Sequence, residues 1–420
     1  MACRASRMRS MRGTPPSRSI QVSSLRSLHR AHARSAKSTP QPHDWPCRAT
    51  PSVVRQAATM QPMILRDEVL ATPAYAFHDV PDGIKLDQNE APDDLSDALR
   101  ARVVQAMANE AWNRYPELRA RRASEAIGER DGWPAAGVLL APGSNVLIQA
   151  IVMAAGIGRK VVTVAPTFSV YGQQARLLGA RLTEVPLQGR DFHLDVAALR
   201  AALAEGPGVL FLADPAAPTG QRHDDDAIVE VLDTAEANGW LTVVDEAYWP
   251  YDGRHRLDLV EGHPSRISLR TFSKADALGG VRLGYALGAP TTITELAKVL
   301  LPFNVSVLQS TVAAIVARDR DATAARAARI EAAVAERTRV AEVLGRELGL
   351  RVLPSVTNFL AFEVADPAET YTGLLDRGVR IRRQDHLPGM RGFLRVSIGH
   401  RHENDAFLDA LREIAVPEVA

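Results

Sequence analysis

Cysteine is missing from almost the whole sequence. The chain has two cysteines, Cys3 and Cys47, and none follows residue 47. Disulfide bonds, thiolate metal sites and cysteine nucleophiles are therefore excluded from the body of the chain. This inventory fits a reducing compartment such as the cytoplasm.

Patterns that define several other classes of protein are also missing. The sequence has no apolar run long enough to cross a bilayer, so no membrane partner is expected. No Gly-x-Gly-x-x-Gly pattern follows the first predicted strand of the sheet, and no histidines and carboxylates cluster with metal-ligand spacing. A dinucleotide-dependent enzyme and a metal-dependent enzyme are both disfavoured, and no metal is expected.

Acidic residues are almost absent from the first 59 residues. This segment has ten arginines and one lysine against a single acid, Asp44, so its formal charge is +10. The whole chain has a net charge of +1, which leaves −9 for residues 60–420. The body is mildly acidic, so we expect no nucleic acid as a partner.

The 1–59 segment is rich in Ser, Arg, Ala and Pro without sustained periodicity, and we predict a disordered basic extension. An organelle transit peptide has this composition, which would imply an organelle location. A basic arm that binds nucleic acid would share its charge. We favour a third interpretation, in which translation starts at Met60 or Met63 and the protein is cytoplasmic. The Ala- and Arg-rich body is typical of a high-GC bacterial protein.

Apolar runs alternate with amphipathic segments through the middle of the chain. Runs such as KVVTVAP at 160–166, GVLFLADP at 208–215 and WLTVVDEAY at 240–248 are separated by segments of helical periodicity. This pattern predicts an α/β fold with a mostly parallel sheet covered by helices on both faces. Ligands bind at the carboxyl ends of the strands in such sheets.

The length of the chain allows two domains and a tail. We predict an N-terminal arm over 60–100, a large domain over 101–305 and a smaller α+β domain over 306–420 to which the arm contributes. The small domain is expected to begin with one long helical stretch, about 306–348. Three strands are expected in RVLPSVTNFLAFEV, GVRIRR and GFLRVSIG.

The segment from Trp240 to Tyr285 contains the residues on which the chemistry depends. Asp245 ends an apolar strand, Lys274 follows 29 residues later, and Arg282 follows after a further eight. A desolvated lysine amine attacks carbonyl groups, a carboxylate keeps a pyridine nitrogen protonated, and an arginine binds phosphate bidentately. This set predicts a site for pyridoxal 5'-phosphate.

Further residues fit the same cofactor. Tyr248 could donate a hydrogen bond to its phenolic oxygen, and the hydroxyls of Thr271 and Ser273 could bind its phosphate. The turn at Gly143–Asn145 opens a predicted helix, whose N-terminus attracts phosphate. Phe168 could stack on the ring. Taken singly, each has an ordinary structural explanation, as a surface charge, a helix start or a core aromatic. The ordered set is what points to one site.

A series of motifs spread over residues 65–415 carries a family resemblance. In order, they are NRYPE, PGSN, APTF, PTG, VVDEAY, RTFSKADALGGVRLGY, PFNVS, TNF and LRVSIG. They resemble the class I and II aminotransferases of fold type I, and within that family the histidinol-phosphate aminotransferases. VVDEAY and the Ser-Lys…Gly-x-Arg-x-Gly-Tyr element are diagnostic, whereas PTG or TNF alone is weak. The resemblance implies a pyridoxal-phosphate-dependent enzyme with a large and a small domain.

The resemblance also implies a role for each matching residue. Lys274 matches the lysine that binds the cofactor covalently, and Asp245 matches the partner of the ring nitrogen. Tyr248 and Phe168 match the residues at the phenolic oxygen and the ring face. The residues expected to bind the phosphate are Ser144, Asn145, Ser273 and Arg282, with Thr271 beside them.

Three other positions match residues that contact the neighbouring subunit or the substrate. Tyr115, in NRYPE, matches a tyrosine that reaches the cofactor phosphate of the neighbouring subunit, which implies a homodimer with shared active sites. Arg395, in LRVSIG, matches the arginine that binds the anionic group of the substrate. Arg382, thirteen residues earlier, is a second candidate.

The chain departs from the family pattern at a few positions. The family's NPxNPTG is DPAAPTG here, so Ala217 replaces an asparagine that hydrogen-bonds the phenolic oxygen and leaves this contact to Tyr248. Val146 replaces the glutamate that usually follows the Gly-Ser-(Asp/Asn) turn. Phe168 stands where tyrosine is usual, which keeps the stacking and loses a hydroxyl. None of these changes removes a group that the chemistry requires.

The activity expected from the resemblance is transfer of an amino group between L-histidinol phosphate and 2-oxoglutarate in histidine biosynthesis. An aromatic or broad-specificity aminotransferase and a related decarboxylase of phosphorylated amino acids stay open, because the same lysine and aspartate serve all three. A non-catalytic, cofactor-binding regulator is disfavoured. It would need a folded DNA-binding domain, and residues 1–59 have neither helical periodicity nor an apolar core.

Overall fold

The computed structural model describes residues 64–73 and 83–415. These residues belong to one compact unit, Ile64–Ala420. The predicted disordered extension, 1–59, lies outside the described residues. The boundaries proposed at residues 60, 100 and 305 stay predictions.

The described part of the N-terminal arm is short. It contains a helix, α1 (Asp67–Ala71), and a strand, β1 (Ile84–Lys85). The strand pairs in parallel with a strand near the other end of the chain, with Ile84 opposite Val379. The arm therefore joins residues that are about three hundred positions away in sequence.

A seven-stranded sheet forms the centre of the described structure. Its strands are β2 (Val138–Ala141), β3 (Lys160–Ala165), β4 (Arg181–Pro186), β5 (Gly208–Ala213), β6 (Leu241–Asp245), β7 (Arg266–Thr271) and β8 (Gly284–Gly288). The order is β2-β8-β7-β6-β5-β3-β4, and only β8 is antiparallel to its neighbours. Four of the seven strands, β2, β3, β5 and β8, are buried along their whole length, as expected of a sheet covered on both faces. The predicted α/β fold is confirmed.

Helices connect the strands and cover the sheet. They are α2 (Asp97–Ala108), α3 (Arg121–Asp131), α4 (Ser144–Ala155), α5 (Val170–Leu177), α6 (Val196–Leu203), α7 (Asp225–Ala237) and α8 (Pro290–Ala297). Aspartates begin two of them: the Asp195 carboxylate accepts from the Ala198 N–H and the Asp224 carboxylate from the Ala227 N–H. Such caps satisfy N–H groups that have no partner within the helix.

The long helical stretch predicted over 306–348 is divided. The structure has α9 (Val307–Arg318) and α10 (Arg320–Glu342), followed by a π-helical turn at Val343–Glu347. Asp319 between them has an extended backbone, and its carboxylate accepts from the Asp321 and Ala322 N–H groups at 2.9 and 3.0 Å. One residue thus ends the first helix and caps the second, which a periodicity of apolar residues does not reveal.

The C-terminal strands are more fragmented than predicted. The structure has β9 (Arg351–Val352), β10 (Phe359–Glu363), β11 (Val379–Arg380), β12 (Arg382–Arg383) and β13 (Phe393–Ser397), with helices α11 (Pro367–Asp376) and α12 (Arg401–Ala415). Four of these strands form an antiparallel sheet in the order β12-β13-β10-β9, while β11 pairs with β1. Two of the three predicted strands are therefore each broken into two.

Among the described helices, none is both long and apolar enough to span a membrane.

Candidate active site

The reversal of β8 brings Arg282 to the edge where its neighbouring strands end. Asp245 is the last residue of β6, and Lys274 follows the end of β7. Arg282 precedes β8, but because β8 runs antiparallel to β7, its start lies beside the end of that strand, with Thr271 opposite Gly284. The three residues on which the sequence argument rests therefore meet at one edge.

Most of the predicted site residues surround one cavity, which we call the cofactor cavity. Nine of them line it: Ser144, Asn145, Phe168, Asp245, Tyr248, Thr271, Ser273, Lys274 and Arg282. A second cavity shares some of this wall and also contains the two predicted substrate arginines, and we call it the substrate cavity. The residues common to both are Gln88, Phe168, Ala217, Tyr248 and Lys274.

Asp245 is a buried carboxylate held by two donors. The Tyr171 hydroxyl donates to Asp245 Oδ2 at 2.6 Å, and the Ala247 N–H donates to Oδ1 at 3.0 Å. Burial raises the pKa of Asp245 to about 6, although the two hydrogen bonds act in the opposite direction and lower it. The group is thus prepared to accept a charged N–H partner, which would stabilise its ionised form.

The raised pKa predicts how the stability of the protein stripped of cofactor depends on pH. Between pH 4 and 6 the folded protein retains a proton on Asp245 that the unfolded chain, at its ordinary pKa, has released. Stability therefore falls as pH rises through this window, by about 3 kcal/mol in total from this group. The Asp245→Asn variant has no carboxyl group at this position, so its stability does not fall for this reason as pH rises. Its stability relative to the wild type should therefore improve by that amount between pH 4 and 7, as measured by urea unfolding at each pH. A difference that does not change with pH would contradict the assignment.

Lys274 lies at the junction of the two cavities. Its ammonium Nζ donates to the Gln88 carbonyl oxygen at 2.7 Å. Burial lowers the pKa of Lys274, and the nearby positive charges of Arg395 and Arg282 lower it further. A lysine with a lowered pKa has a larger neutral fraction near pH 7, which is the form that attacks carbonyl groups.

The N-terminus of α4 forms a site that can bind an anion. The helix begins at Ser144, so the first N–H groups have no intrahelical acceptor, and Ser144 and Asn145 both line the cofactor cavity. Gly143 has a φ of 89°, and a Cβ there would lie 2.7 Å from Arg282 Nη2. Only glycine allows the guanidinium to approach the turn this closely.

The position of Arg282 is set by its own loop. Its Nη1 donates to the Gly279 carbonyl at 2.9 Å and contacts Ser273 Oγ at 3.4 Å. Gln309 Nε2 donates to the Arg282 carbonyl at 2.8 Å, and the Ser273 N–H donates to Thr271 Oγ1 at 3.0 Å. These contacts hold an arginine and two hydroxyls beside the helix terminus, which is a suitable set for a phosphate.

The arm supplies site residues to which the sequence argument assigned no role. The Asp87 carbonyl accepts from Arg395 Nη2, and the Gln88 carbonyl accepts from Lys274, each at 2.7 Å. Asn89 Nδ2 donates to the Tyr248 hydroxyl at 2.9 Å. The motif KLDQNEAP was visible in the sequence, but nothing in its spacing links it to residues more than 150 positions away.

Tyr171 was also missed. It is fully buried, stacks on Phe211 at a centroid distance of 4.9 Å and packs edge-on against Phe168 at 5.6 Å. An aromatic residue on a helix is usually a core residue, so its hydroxyl gave no signal. Desolvation, with the neighbouring Asp245 charge, raises the pKa of Tyr171 well above its usual value, which keeps it a hydrogen-bond donor.

The two predicted substrate arginines face each other across a strand pair. Arg382 in β12 is opposite Arg395 in β13, and both line the substrate cavity together with Gln384 and His386. The Arg395 guanidinium also lies over the Phe359 ring, 5.2 Å from its centroid. Two arginines at one end of a cavity favour an anionic ligand group there.

Tyr115 is the one predicted site residue that lines neither cavity in this chain. It is 83 % exposed and stacks on Phe303 at a centroid distance of 4.8 Å.

The groups around the cofactor cavity fit pyridoxal phosphate. A buried carboxylate suits the ring nitrogen, a lysine with a lowered pKa suits the aldehyde, and a helix N-terminus with an arginine suits the phosphate. The glycine at residue 143 leaves room for Arg282, because a Cβ there would lie 2.7 Å from the guanidinium in its present position.

A comparison with known families agrees with this geometry. The sequence model of the family "Aminotransferase class I and II" matches residues 81–411. The chain belongs to the class I and II aminotransferases. This match covers every residue of the predicted site, and confirms the family resemblance.

Individual relatives cover nearly the whole of the described chain. A histidinol-phosphate aminotransferase of Deinococcus radiodurans is 40 % identical over 351 residues, which is 83 % of this chain and 96 % of the relative. One from Thermococcus kodakarensis is 37 % identical over 83 % of this chain and 98 % of the relative. The solved histidinol-phosphate aminotransferase of Sinorhizobium meliloti, in complex with pyridoxal 5'-phosphate, has a TM-score of 0.74. It is 23 % identical over 85 % of this chain and 99 % of that chain, and supports the aminotransferase fold.

Proposed function

We propose that this aminotransferase uses pyridoxal 5'-phosphate to move an amino group between L-histidinol phosphate and 2-oxoglutarate, in histidine biosynthesis. The observation that carries the proposal is the meeting of Asp245, Lys274 and Arg282 at one cavity. The choice of substrate is supported by relatives named histidinol-phosphate aminotransferase that are 37–40 % identical over nearly their full length.

Each residue around the cofactor cavity has a distinct task in this proposal. Bound pyridoxal phosphate supplies a protonated ring that withdraws electrons from the substrate's Cα. Asp245 keeps the ring nitrogen protonated, and Tyr248 donates to the phenolic oxygen. Phe168 covers the ring face. The phosphate is bound by the hydroxyls and N–H groups at Ser144, Asn145, Thr271 and Ser273 together with Arg282.

Lys274 has two tasks. Its amine would hold the cofactor at the aldehyde, and as a free amine it would move the proton at the substrate's Cα as general acid and base. Its lowered pKa suits both tasks, because a neutral amine accepts a proton and the ammonium returns it. Lys274 lines both cavities, which supports the assignment of both tasks to it.

Arg395 and Arg382 bind the anionic end of the substrate in this proposal. A charge-assisted hydrogen bond to a phosphate contributes about 1.5–3 kcal/mol, so L-histidinol phosphate should react about 10–100-fold more efficiently than L-histidinol. Arg395→Ala should reduce that preference, whereas Arg391→Ala, at an exposed position four residues earlier, should leave it unchanged. The measurement is the rate of the half-reaction with each amine, followed by loss of the bound cofactor's visible absorption.

The same assay distinguishes the rival activities. L-histidinol phosphate should react faster than L-phenylalanine and L-threonine phosphate. A preference for phenylalanine would indicate an aromatic or broad-specificity aminotransferase. Release of carbon dioxide from threonine phosphate would indicate a decarboxylase. Either result would contradict the proposed substrate and leave the cofactor assignment standing.

We further propose a homodimer in which Tyr115 completes the neighbouring site. Large apolar side chains around Tyr115 are exposed, namely Trp112, Leu118, Leu301 and Phe303, at 68, 60, 79 and 40 %. Leu118 and Leu301 line one groove, and Phe303, two residues after Leu301, stacks on Tyr115, so these four side chains form an exposed patch. A patch of this kind favours association with another protein surface.

Co-expression of two defective variants tests the shared site. Tyr115→Ala leaves Lys274 intact, and Lys274→Ala leaves Tyr115 intact. A mixed dimer should contain one complete site, so adding the inactive lysine variant should raise the activity of the tyrosine variant. No gain in isolated mixed dimers, or a monomeric mass in sedimentation, would overturn the shared-site proposal.

We also propose that the protein works in the cytoplasm. The lack of cysteine after residue 47 supports this. Cell fractionation that recovered the activity in an organelle, with residues 1–59 cleaved, would overturn it.

A further inference from the structure

The Tyr248 hydroxyl has a partner from the N-terminal arm. Asn89, four residues after β1, places its amide nitrogen Nδ2 2.9 Å from the Tyr248 oxygen. Both side chains are buried, with exposures of 1 % for Asn89 and 9 % for Tyr248. In the described part of the chain, this is the hydrogen bond that fixes the hydroxyl of Tyr248.

Contacts on the other side of Asn89 determine the direction of this hydrogen bond. Ser397 Oγ accepts the Asn89 backbone N–H at 2.8 Å and lies 2.9 Å from Asn89 Oδ1. Among the described residues, the Asn89 side-chain amide is the acceptor within reach of the one Ser397 hydroxyl hydrogen, so the amide turns its oxygen Oδ1 toward Ser397. The NH₂ end therefore faces Tyr248, and because NH₂ can only donate, the tyrosine oxygen accepts.

The hydrogen of the Tyr248 hydroxyl can then be donated to an acceptor in the cavity. A phenol oxygen that accepts from Asn89 keeps its own hydrogen for another acceptor. Tyr248 lines both cavities beside Lys274 and Ala217, and Ala217 presents only a methyl group there. The hydroxyl is thus the donor that this part of the wall offers to a ligand oxygen.

Asn89 is held rigidly enough to orient its neighbour. Its φ of 53° lies in the left-handed region, which asparagine tolerates better than most residues. Asn358 Nδ2 donates to the Asn89 carbonyl at 3.0 Å, so residues next to β10 and in β13 both fix it. The Tyr248 ring packs edge-on against Phe359 at 5.1 Å.

We propose that Asn89 is a positioning residue that directs the Tyr248 hydrogen to the phenolic oxygen of the bound cofactor. It thereby compensates, through Tyr248, for the side-chain amide that is absent at residue 217. The identity of the acceptor rests on the proposed function, whereas the Asn89–Tyr248 contact does not.

Two substitutions at Asn89 test the role in the cofactor-loaded protein. Asn89→Asp has the same shape, but an ionised carboxylate can only accept, so it draws the Tyr248 hydrogen away from the cavity. Asn89→Gly tolerates the positive φ and removes the partner. In Asn89→Asp the hydrogen is drawn away, and in Asn89→Gly the hydroxyl loses the partner that orients it, so in both the hydrogen bond to the phenolic oxygen weakens and the ionised form of that oxygen is disfavoured. Both variants should therefore raise the apparent pKa of the bound cofactor's visible absorption, by about 1 unit.

Two further variants test how large the increase in pKa can become and whether it can be reversed. Tyr248→Phe removes the donor itself and should give the largest increase. Ala217→Asn, added to Asn89→Gly, supplies an amide at a residue that lines both cavities with Tyr248, and should reverse part of the increase. A wild-type pKa in both Asn89 variants, with an increase in Tyr248→Phe, would overturn the role of Asn89.

A double-mutant cycle tests the contact without the cofactor. Asn89→Gly, Tyr248→Phe and the double variant are unfolded with urea as full-length chains stripped of cofactor. The midpoint shift of the double variant should be smaller than the sum of the single shifts, and additive shifts would overturn the coupling. Absence of any visible cofactor band in the wild type would instead overturn the proposed function. The role of Asn89 toward the cofactor would then fall as well, even if the urea midpoint shifts are not additive.

Discussion

Lys274→Ala is expected to lower the transamination rate by at least about 10⁴-fold, because the one side chain that binds the cofactor and moves the substrate proton is lost. The folded structure should survive. The substitution removes one hydrogen bond, to the Gln88 carbonyl, from a side chain that faces a cavity. Circular dichroism and urea unfolding of the variant check this point.

An exposed arginine supplies the control for this prediction. Arg346 lies in the π-helical turn after α10, and its side chain is 81 % exposed. Arg346→Ala removes the same charge from the surface and should leave the rate within a factor of two or so of the wild type, as surface pairs contribute little. Turnover by Lys274→Ala within about tenfold of the wild type would contradict the assignment.

Asp245→Asn is expected to lower kcat by about 10²–10³-fold, the range that follows the loss of one preorganised electrostatic group in an active site. An asparagine can accept a hydrogen bond from Tyr171, but it has no charge with which to hold a proton on the ring nitrogen. The residues that bind the phosphate are unchanged, so the variant should retain the cofactor. The readouts are kcat in the steady state and the cofactor content of the purified variant.

Asp376→Asn is the matched control for the aspartate. Asp376 is the exposed last residue of α11, and neutralising it should leave kcat unchanged. Asp245→Glu keeps the charge in a longer side chain and should retain more activity than Asp245→Asn. An unchanged kcat in Asp245→Asn would show that the carboxylate does not act on the ring nitrogen.

The order of secondary-structure elements could be predicted because the local signals agree. Apolar runs bounded by turns or proline became strands, and the segments of helical periodicity between them became helices. The reversal of β8 was not predictable, since RLGYALG is apolar like the parallel strands and its direction depends on the pairing with β7. The break at Asp319 was missed because a single cap does not interrupt the apolar periodicity on either side.

The candidate site could be predicted where its chemistry is carried by unusual residues at strand ends. Asp245 and Lys274 are polar groups that follow apolar runs, which is a signal in the sequence itself. Tyr171 and Asn89 carry no such signal, because their contacts reach 74 and 159 positions along the chain. Residues that orient the reactive groups are fixed by tertiary packing, and a motif that identifies the reactive groups does not name them.

The most direct test of the account is to find which lysine binds the cofactor. The purified protein is loaded with pyridoxal phosphate, reduced with borohydride and digested, and the modified peptide is identified by mass spectrometry. The sequence contains five lysines: Lys37, Lys85, Lys160, Lys274 and Lys298. We expect the pyridoxyl group on Lys274, at close to one per chain. A modification on any of the other four, or none at all, would contradict the central claim.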